Sequence, residues 1–185
     1  STFGCFFCYR DVTMTLNRLI KMTTPLALVL MSSALQASTV EEFYKLFRSG
    51  HYPKALEALQ TLPAEKNKLG IKNYLEGLSY SRLQEYDKAI LSFEAAIKDN
   101  NDSIDLYYEY GQALYAANEF KKSRTAFMMS AQKQFNRSAS LYYVAHISQI
   151  LEDYSVAREY YTRVIKEKTS DTKMKQIAQF QLSET

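Results

Sequence analysis

Glycine and proline are scarce in this sequence, which has five glycines and three prolines among 185 residues. Folds built from short strands need more of both, because these residues form most tight turns. The five glycines never form the G-x-G-x-x-G or G-x-x-x-x-G-K patterns of phosphate-binding loops. The scarcity therefore favours long helices joined by short turns, and it excludes nucleotide-binding loops of those two types.

Residues that carry catalytic or metal chemistry are also rare. The chain has two histidines, His51 and His146, and neither has a nucleophile or a carboxylate at a recognisable spacing. Cys5 and Cys8 have the C-x-x-C spacing of redox and metal sites, but they lack a second ligand pair and a flanking βαβ pattern. We therefore expect a protein that is not an enzyme, with no catalytic residues, no metal and no cofactor.

An excess of one charge is missing too, since 23 basic and 20 acidic residues leave a formal net charge of +3. Proteins that bind nucleic acids or anionic membranes usually carry a marked excess of lysine and arginine. We therefore expect no nucleic-acid partner. Disorder is not indicated either, because 46% hydrophobic residues with 23% charged residues can form a core.

The segment from Met14 to Ala37 has the three parts of a secretory signal. Arg18 and Lys21 come first, a short apolar run follows, and small residues lead up to Ala37. The run is too short to span a bilayer as a stop-transfer helix. We expect residues 1–37 to be an N-terminal extension and signal, and the protein to be exported, either periplasmic or secreted. The alternatives are a buried helix of the fold and an uncleaved membrane anchor, the one case that would give a membrane partner.

A repeat of 34 residues occupies the rest of the chain. Comparison of the sequence with itself at that offset reveals recurring small and aromatic positions. In the second helix of each unit the small residue is, in order, Ala55, Ala89, Ser123 and Ala157. The large residue four positions later is Leu59, Phe93, Phe127 and Tyr161. In the first helix of each unit the corresponding small position holds Phe43, Gly77, Gly111 and Ala145.

These residues resemble the tetratricopeptide repeat, whose pattern is W-x2-L-G-x2-Y followed by A-x3-F. The third unit fits best, with Tyr107-x2-Tyr110-Gly111 in its first helix and Ser123-x3-Phe127 in its second. The resemblance implies an all-α fold, a right-handed α-α superhelix of four helical hairpins with a capping helix. We expect the array to occupy residues 38–185, with repeats at about 38–69, 70–103, 104–137 and 138–169 and the capping helix at 170–185.

The small positions have a physical reason, because small residues let two helices approach closely where they cross. They are expected to have a structural role, and one hairpin cannot bury its apolar face without its neighbours. The first two units depart from the pattern. Phe43 stands where a small residue is usual, and Asn73 and Glu76 occupy apolar positions of the second unit. The first helix of that unit is therefore expected to be rotated or partly exposed.

In tetratricopeptide repeats the first helices line a concave groove, and the resemblance implies that the residue after the first apolar position points into it. In this chain those residues are Tyr74, Tyr108 and Tyr142. Further groove positions on the same helices are Leu78, Arg82, Gln112, Tyr115, His146 and Gln149. Tyrosine suits recognition, because its rigid ring supplies contact area at low entropic cost. The alternative is that these tyrosines only fill volume between helices.

The resemblance implies an adaptor or scaffold that binds a peptide or a partner protein in the groove. One alternative is a self-associating structural module that forms homo-oligomers through an apolar face of the final helix. Another is an accessory subunit of an enzyme complex. Co-chaperone members of the family bind a C-terminal carboxylate through Lys, Asn and Arg at sites where this chain has Tyr, Gln and His. That activity is not expected here.

Overall fold

The computed structural model describes residues 39–62 and 68–185. Within these two ranges the chain forms nine α-helices and no strand, which confirms the predicted all-α class. Helix α1 covers residues 39–48. The others are α2 (Tyr52–Gln60), α3 (Ile71–Arg82), α4 (Tyr86–Lys98), α5 (Leu106–Ala116), α6 (Phe120–Gln132), α7 (Arg137–Ile150), α8 (Tyr154–Lys166) and α9 (Thr172–Ser183). The predicted extension and signal, together with Cys5 and Cys8, lie outside the described residues.

The helices form a solenoid of successive hairpins. Helix α3 packs against α4, α5 against α6 and α7 against α8, and α9 continues the array by packing on α8. Neighbouring hairpins are joined by contacts of α4 with α5 and of α6 with α7. Because each hairpin packs mainly on its neighbours, each hydrophobic cluster of the described residues is shared by adjacent hairpins. This is the solenoid of hairpins with a final capping helix that the repeat predicts.

Close approach at the helix crossings depends on glycine in two hairpins. A Cβ atom placed on Gly77 would lie 2.7 Å from Cδ1 of Phe93, and one placed on Gly111 would lie 3.1 Å from Cε1 of Phe127. Both phenylalanine side chains are fully buried. The first helix of each hairpin therefore supplies the space that the aromatic ring of the second helix fills.

The small residues of the second helices lie at the same crossings. Ala89, Ser123 and Ala157 are fully buried, and so is Ala145 on the first helix of the fourth hairpin. The hydroxyl of Ser123 donates a hydrogen bond to the carbonyl oxygen of Gly111 at 2.8 Å. The buried hydroxyl is thus satisfied by the backbone of the helix that it packs against.

Each first helix ends in the same backbone turn, in which one residue adopts a positive φ angle. These residues are Gly50, Gln84, Asn118 and Glu152, with φ between 60° and 77°. The amide of the following residue donates to the carbonyl five positions back, at 2.8–3.0 Å. This left-handed C-terminal turn satisfies carbonyls that the helix end leaves free. Only the glycine and the asparagine hint at it in the sequence, because glutamine and glutamate rarely take this conformation.

Helix α9 begins at a side-chain cap. The carboxylate of Asp171 accepts a hydrogen bond from the amide of Met174 at 2.7 Å, as expected for an N-cap residue. The helix buries Ala178 completely, and half-buried Met174 and Leu182 pack on the core of the fourth hairpin. Its opposite side remains exposed.

Candidate partner-binding groove

The predicted groove residues all lie on the first helices of the second, third and fourth hairpins. Helix α3 carries Tyr74, Leu78 and Arg82. Helix α5 carries Tyr108, Gln112 and Tyr115, and α7 carries Tyr142, His146 and Gln149. Side-chain contacts connect α3 with α5, through Arg82 and Glu109, and α5 with α7, through Tyr115 and His146. The three helices therefore lie side by side in the array.

Tyr74 and Leu78, predicted as groove contacts, lie instead in the core. Each is only 6% exposed, so neither offers much surface to a partner. The hydroxyl of Tyr74 donates a hydrogen bond to Asp105 at 2.7 Å. Burial first, and then this hydrogen bond, raise the pKa of Tyr74 above its ordinary value. The phenol therefore stays protonated and joins α3 to the start of the third hairpin.

Burial on α3 is shifted relative to the usual repeat pattern. Leu75 is almost completely buried beside Tyr74, whereas Asn73 and Glu76, which occupy the usual apolar positions, are only partly buried. The amide of Asn73 donates to Asp99 at 2.9 Å. The apolar residues of this unit are thus shifted by one position, although Gly77 still lies against Phe93 as Gly111 lies against Phe127.

Arg82 forms an ion pair with Glu109 within the groove region. Its guanidinium donates to both carboxylate oxygens of Glu109, at 3.3 and 3.5 Å. The same group lies 5.9 Å from the ring centre of Phe47, on the first hairpin. Since Arg82 is already paired, this end of the groove does not present a free cation for a carboxylate.

The C-terminal half of the groove region contains a cluster of aromatic rings. The rings of Phe127 and Tyr143 stack with their centres 4.4 Å apart and their planes 5° from parallel. Tyr143 also contacts Tyr108 at 6.4 Å, Tyr115 at 5.7 Å and Tyr142 at 6.3 Å between ring centres. Sequence reasoning missed Tyr143, because the residue 34 positions earlier is a glutamate and the position is not part of the repeat.

His146 completes this cluster. Its Nε2 atom lies 3.1 Å from the hydroxyl oxygen of Tyr115, and its ring stacks on Tyr142 at 6.0 Å. Its Nδ1 atom is buried and has no hydrogen-bond partner among the described residues. Burial lowers the pKa of His146 below its ordinary value, since a charged imidazolium would lose its hydration here. The ring is therefore neutral at pH 7 and acts as part of the aromatic surface.

Some tyrosine hydroxyls of this region form hydrogen bonds within the fold, and others do not. The hydroxyls of Tyr74, Tyr115 and Tyr161 bond to Asp105, His146 and Gln149, respectively. Within residues 39–62 and 68–185, the hydroxyls of Tyr108 and Tyr142 make no hydrogen bond. Both side chains are half-buried, as is Gln112. These three residues therefore retain polar groups that a partner can use.

A shallow hollow of about 190 Å³ lies next to Tyr142, and we call it the Tyr142 hollow. Its walls are formed by Tyr142, Asp171, Lys173, Met174 and Ile177. Helix α9 thus forms one side of the groove region, a role that the sequence pattern did not predict. The offset of 34 residues could have indicated it, because Lys173 follows Ala139 by one repeat.

In the part of the chain that the structure describes, no three histidine, cysteine or acidic residues come together as a metal site would require. The described helices include none with the length and apolar character needed to cross a bilayer.

Comparison with known proteins agrees with this architecture. Residues 74–139 match the family model described as "Tetratricopeptide repeat". Among solved structures the chain is similar to "MamA RS-1 ArsTM double mutant", with a TM-score of 0.62 and 14% identity, over 86% of this chain and 92% of that chain. At that identity the likeness shows the fold alone. No curated protein matches the chain in sequence. Residues 74–139 thus carry a match to the tetratricopeptide repeat within a solenoid of hairpins, a fold that supports protein–protein interaction in general.

Proposed function

We propose that this protein is a non-enzymatic adaptor that binds a peptide, or an extended segment of a partner protein, along the C-terminal half of its groove. The observation that carries the proposal is the pair of half-buried tyrosines, Tyr108 and Tyr142, whose hydroxyls have no partner among the described residues. Gln112 lies between them in the sequence and is also half-buried. Rings with free hydroxyls offer apolar contact and hydrogen bonding together, which suits a peptide backbone with apolar side chains.

The size of the Tyr142 hollow favours a peptide over a small molecule. Sites for small molecules usually enclose about 300–1,000 Å³ and bury most of the ligand. The hollow has about 190 Å³ and is open, which suits one side chain of a longer ligand. We infer that an apolar side chain of the partner enters it, against Met174 and Ile177, while the partner backbone accepts a hydrogen bond from Tyr142.

The charges of the groove region support a partner that is not strongly acidic. Arg82 is paired with Glu109, and Lys173 lies beside Asp171 at the Tyr142 hollow. A partner bound mainly by its carboxylates would need cations that are free of such neighbours. The proposed ligand is therefore an apolar or aromatic peptide segment.

Export is a second part of the proposal and rests on the sequence of residues 14–37, which lie outside the described structure. We propose that the adaptor works in the periplasm or as a secreted protein. The alternative is a protein held at the membrane by an uncleaved N-terminal segment. Fractionation of cells, followed by N-terminal sequencing of the recovered chain, separates these locations.

Photo-cross-linking in the producing cells tests the groove proposal without knowledge of the partner. A photoreactive phenylalanine analogue replaces Gln112 in one variant and Leu91 in the other. Leu91 is a matched control, because it is 66% exposed and lies on α4, a second helix that carries none of the proposed groove residues. We expect defined adducts from position 112 and none of the same mass from position 91.

The opposite pattern would contradict the proposal. If position 91 captures the same species as position 112, or if only position 91 captures anything, the partner does not bind in the groove. Circular dichroism of both variants provides the control for folding. Adding Tyr142→Ala to the Gln112 variant should reduce the adduct, because this change removes one wall of the Tyr142 hollow.

A further inference from the structure

Helix α9 presents four residues of complementary chemistry on one exposed face. We call Lys173, Ile177, Phe180 and Glu184 the α9 stripe. Their spacing of four, three and four residues places them on one narrow face of a helix. Ile177 is 39% exposed and Phe180 is 62% exposed, and both charged residues are exposed as well. The stripe therefore has an apolar centre with a cation at one end and an anion at the other.

The backbone keeps Glu184 on the path of the helix. Helix α9 ends at Ser183, and Glu184 has φ −90° and ψ −7°, close to helical values. The apolar anchor of the helix, Ala178, is fully buried on the other side. The stripe thus lies on the exposed side of α9, with Lys173 and Ile177 at the edge next to Tyr142, and is not part of the core.

The order of residues in the stripe is self-complementary. When two copies of α9 lie antiparallel about a two-fold axis near residues 178 and 179, Ile177 lies opposite Phe180 of the partner subunit. In the same arrangement Lys173 lies opposite Glu184 of the partner subunit. Each contact then occurs twice, as a two-fold interface requires.

We infer that the α9 stripe is a homodimer interface, in which α9 pairs antiparallel with α9 of a second copy. A second copy of this chain fits the stripe, because it places a glutamate opposite Lys173 and a lysine opposite Glu184. The inference goes beyond the proposed groove function and does not depend on it. Since Lys173 and Ile177 also line the Tyr142 hollow, pairing narrows that hollow.

The expected dimer is weak. A helix of 12 residues is roughly 18 Å long, so one helical face covers less area than a stable interface normally buries. The two ion pairs lie at the edge of the contact, where salt screens them. Dimerisation should therefore depend on concentration and weaken as salt is added.

Sedimentation equilibrium of the full chain, over a wide range of concentrations, tests the inference. The wild-type mass should rise with concentration from that of one chain towards that of two. Lys173→Glu and Glu184→Lys should each weaken dimerisation roughly fivefold, because each places like charges opposite one another twice. The double variant, Lys173→Glu with Glu184→Lys, should restore the wild-type dissociation constant.

A second pair of variants tests the apolar centre. Phe180→Ser should leave only monomer, whereas Leu91→Ser, which changes an equally exposed apolar residue on α4, should not alter dimerisation. A wild-type monomer at every concentration overturns the inference. It is also overturned when the double variant remains as weak as the single ones, or when Leu91→Ser disrupts the dimer as Phe180→Ser does. Adduct formation from position 112 is scored separately, so failure of the dimer leaves the groove proposal standing.

Discussion

Replacement of Phe127 by alanine is expected to lower the free energy of unfolding by about 3–5 kcal/mol, as for other fully buried phenylalanines. The side chain has no exposed surface, stacks on Tyr143 at 4.4 Å and meets the edge of Tyr108 at 5.6 Å. It also fills the space left by Gly111. One ring thus connects α5, α6 and α7, so its loss creates a cavity where the third and fourth hairpins meet.

Urea denaturation followed by circular dichroism measures this effect. Because hairpins of a repeat array contact mainly their neighbours, weakening one junction should also broaden the transition. Met128→Ala is the matched control, since Met128 is the next residue on α6 and is 37% exposed. Its substitution should change stability by no more than about 0.5 kcal/mol. A loss of less than about 1 kcal/mol for Phe127→Ala would show that the ring does not hold the junction together.

Gly77→Ala is expected to destabilise the fold by about 2 kcal/mol, through overpacking at the crossing of α3 and α4. The new methyl group would lie 2.7 Å from two carbon atoms of the Phe93 ring, which is fully buried and cannot move aside freely. Alanine would otherwise be favoured over glycine within a helix by about 1 kcal/mol. The close contact should outweigh that gain.

Gly111→Ala provides the matched comparison in the next hairpin. There the nearest ring atoms of Phe127 are 3.1 Å from the new methyl group, so a small shift relieves the contact. The free-energy cost of overpacking should then nearly equal the gain from replacing glycine by alanine within a helix. The net change in the free energy of unfolding should stay within about 1 kcal/mol. Chemical denaturation of both variants measures which one is less stable. If Gly111→Ala proves as destabilising as Gly77→Ala, these distances do not govern packing at the crossings.

The 34-residue repeat allowed the helices and their crossings to be predicted from the sequence. Small and large residues recur every 34 positions because each hairpin solves the same packing problem, so the spacing alone assigns Gly111, Ser123 and Phe127 to a helix crossing. The turns with positive φ repeat as well, but Gln84 and Glu152 are residues that do not usually signal such a turn. Periodicity therefore predicted the helices more fully than the turns.

The groove was harder to predict, because it depends on which side chains of neighbouring hairpins cover each position. Tyr74 and Tyr108 occupy the same position of the repeat, yet Tyr74 is buried whereas Tyr108 is only partly buried. Tyr143 and the wall formed by α9 depend on contacts between different hairpins. A self-comparison of the sequence can place Lys173 one repeat after Ala139, but it does not show which side chains of different hairpins touch. The third and fourth hairpins keep the regular pattern, and there Tyr108 and Tyr142 are half-buried.

The affinity of the groove for its ligand tests the central claim most directly. A peptide from the partner cross-linked at position 112 is titrated into wild type, Tyr142→Ala and Leu91→Ala, each checked for folding by circular dichroism. Loss of a central tyrosine contact should weaken binding by about tenfold or more, and loss of Leu91 should have no effect. Equal affinities of wild type and folded Tyr142→Ala would contradict the claim that the partner binds along the tyrosines of the C-terminal groove.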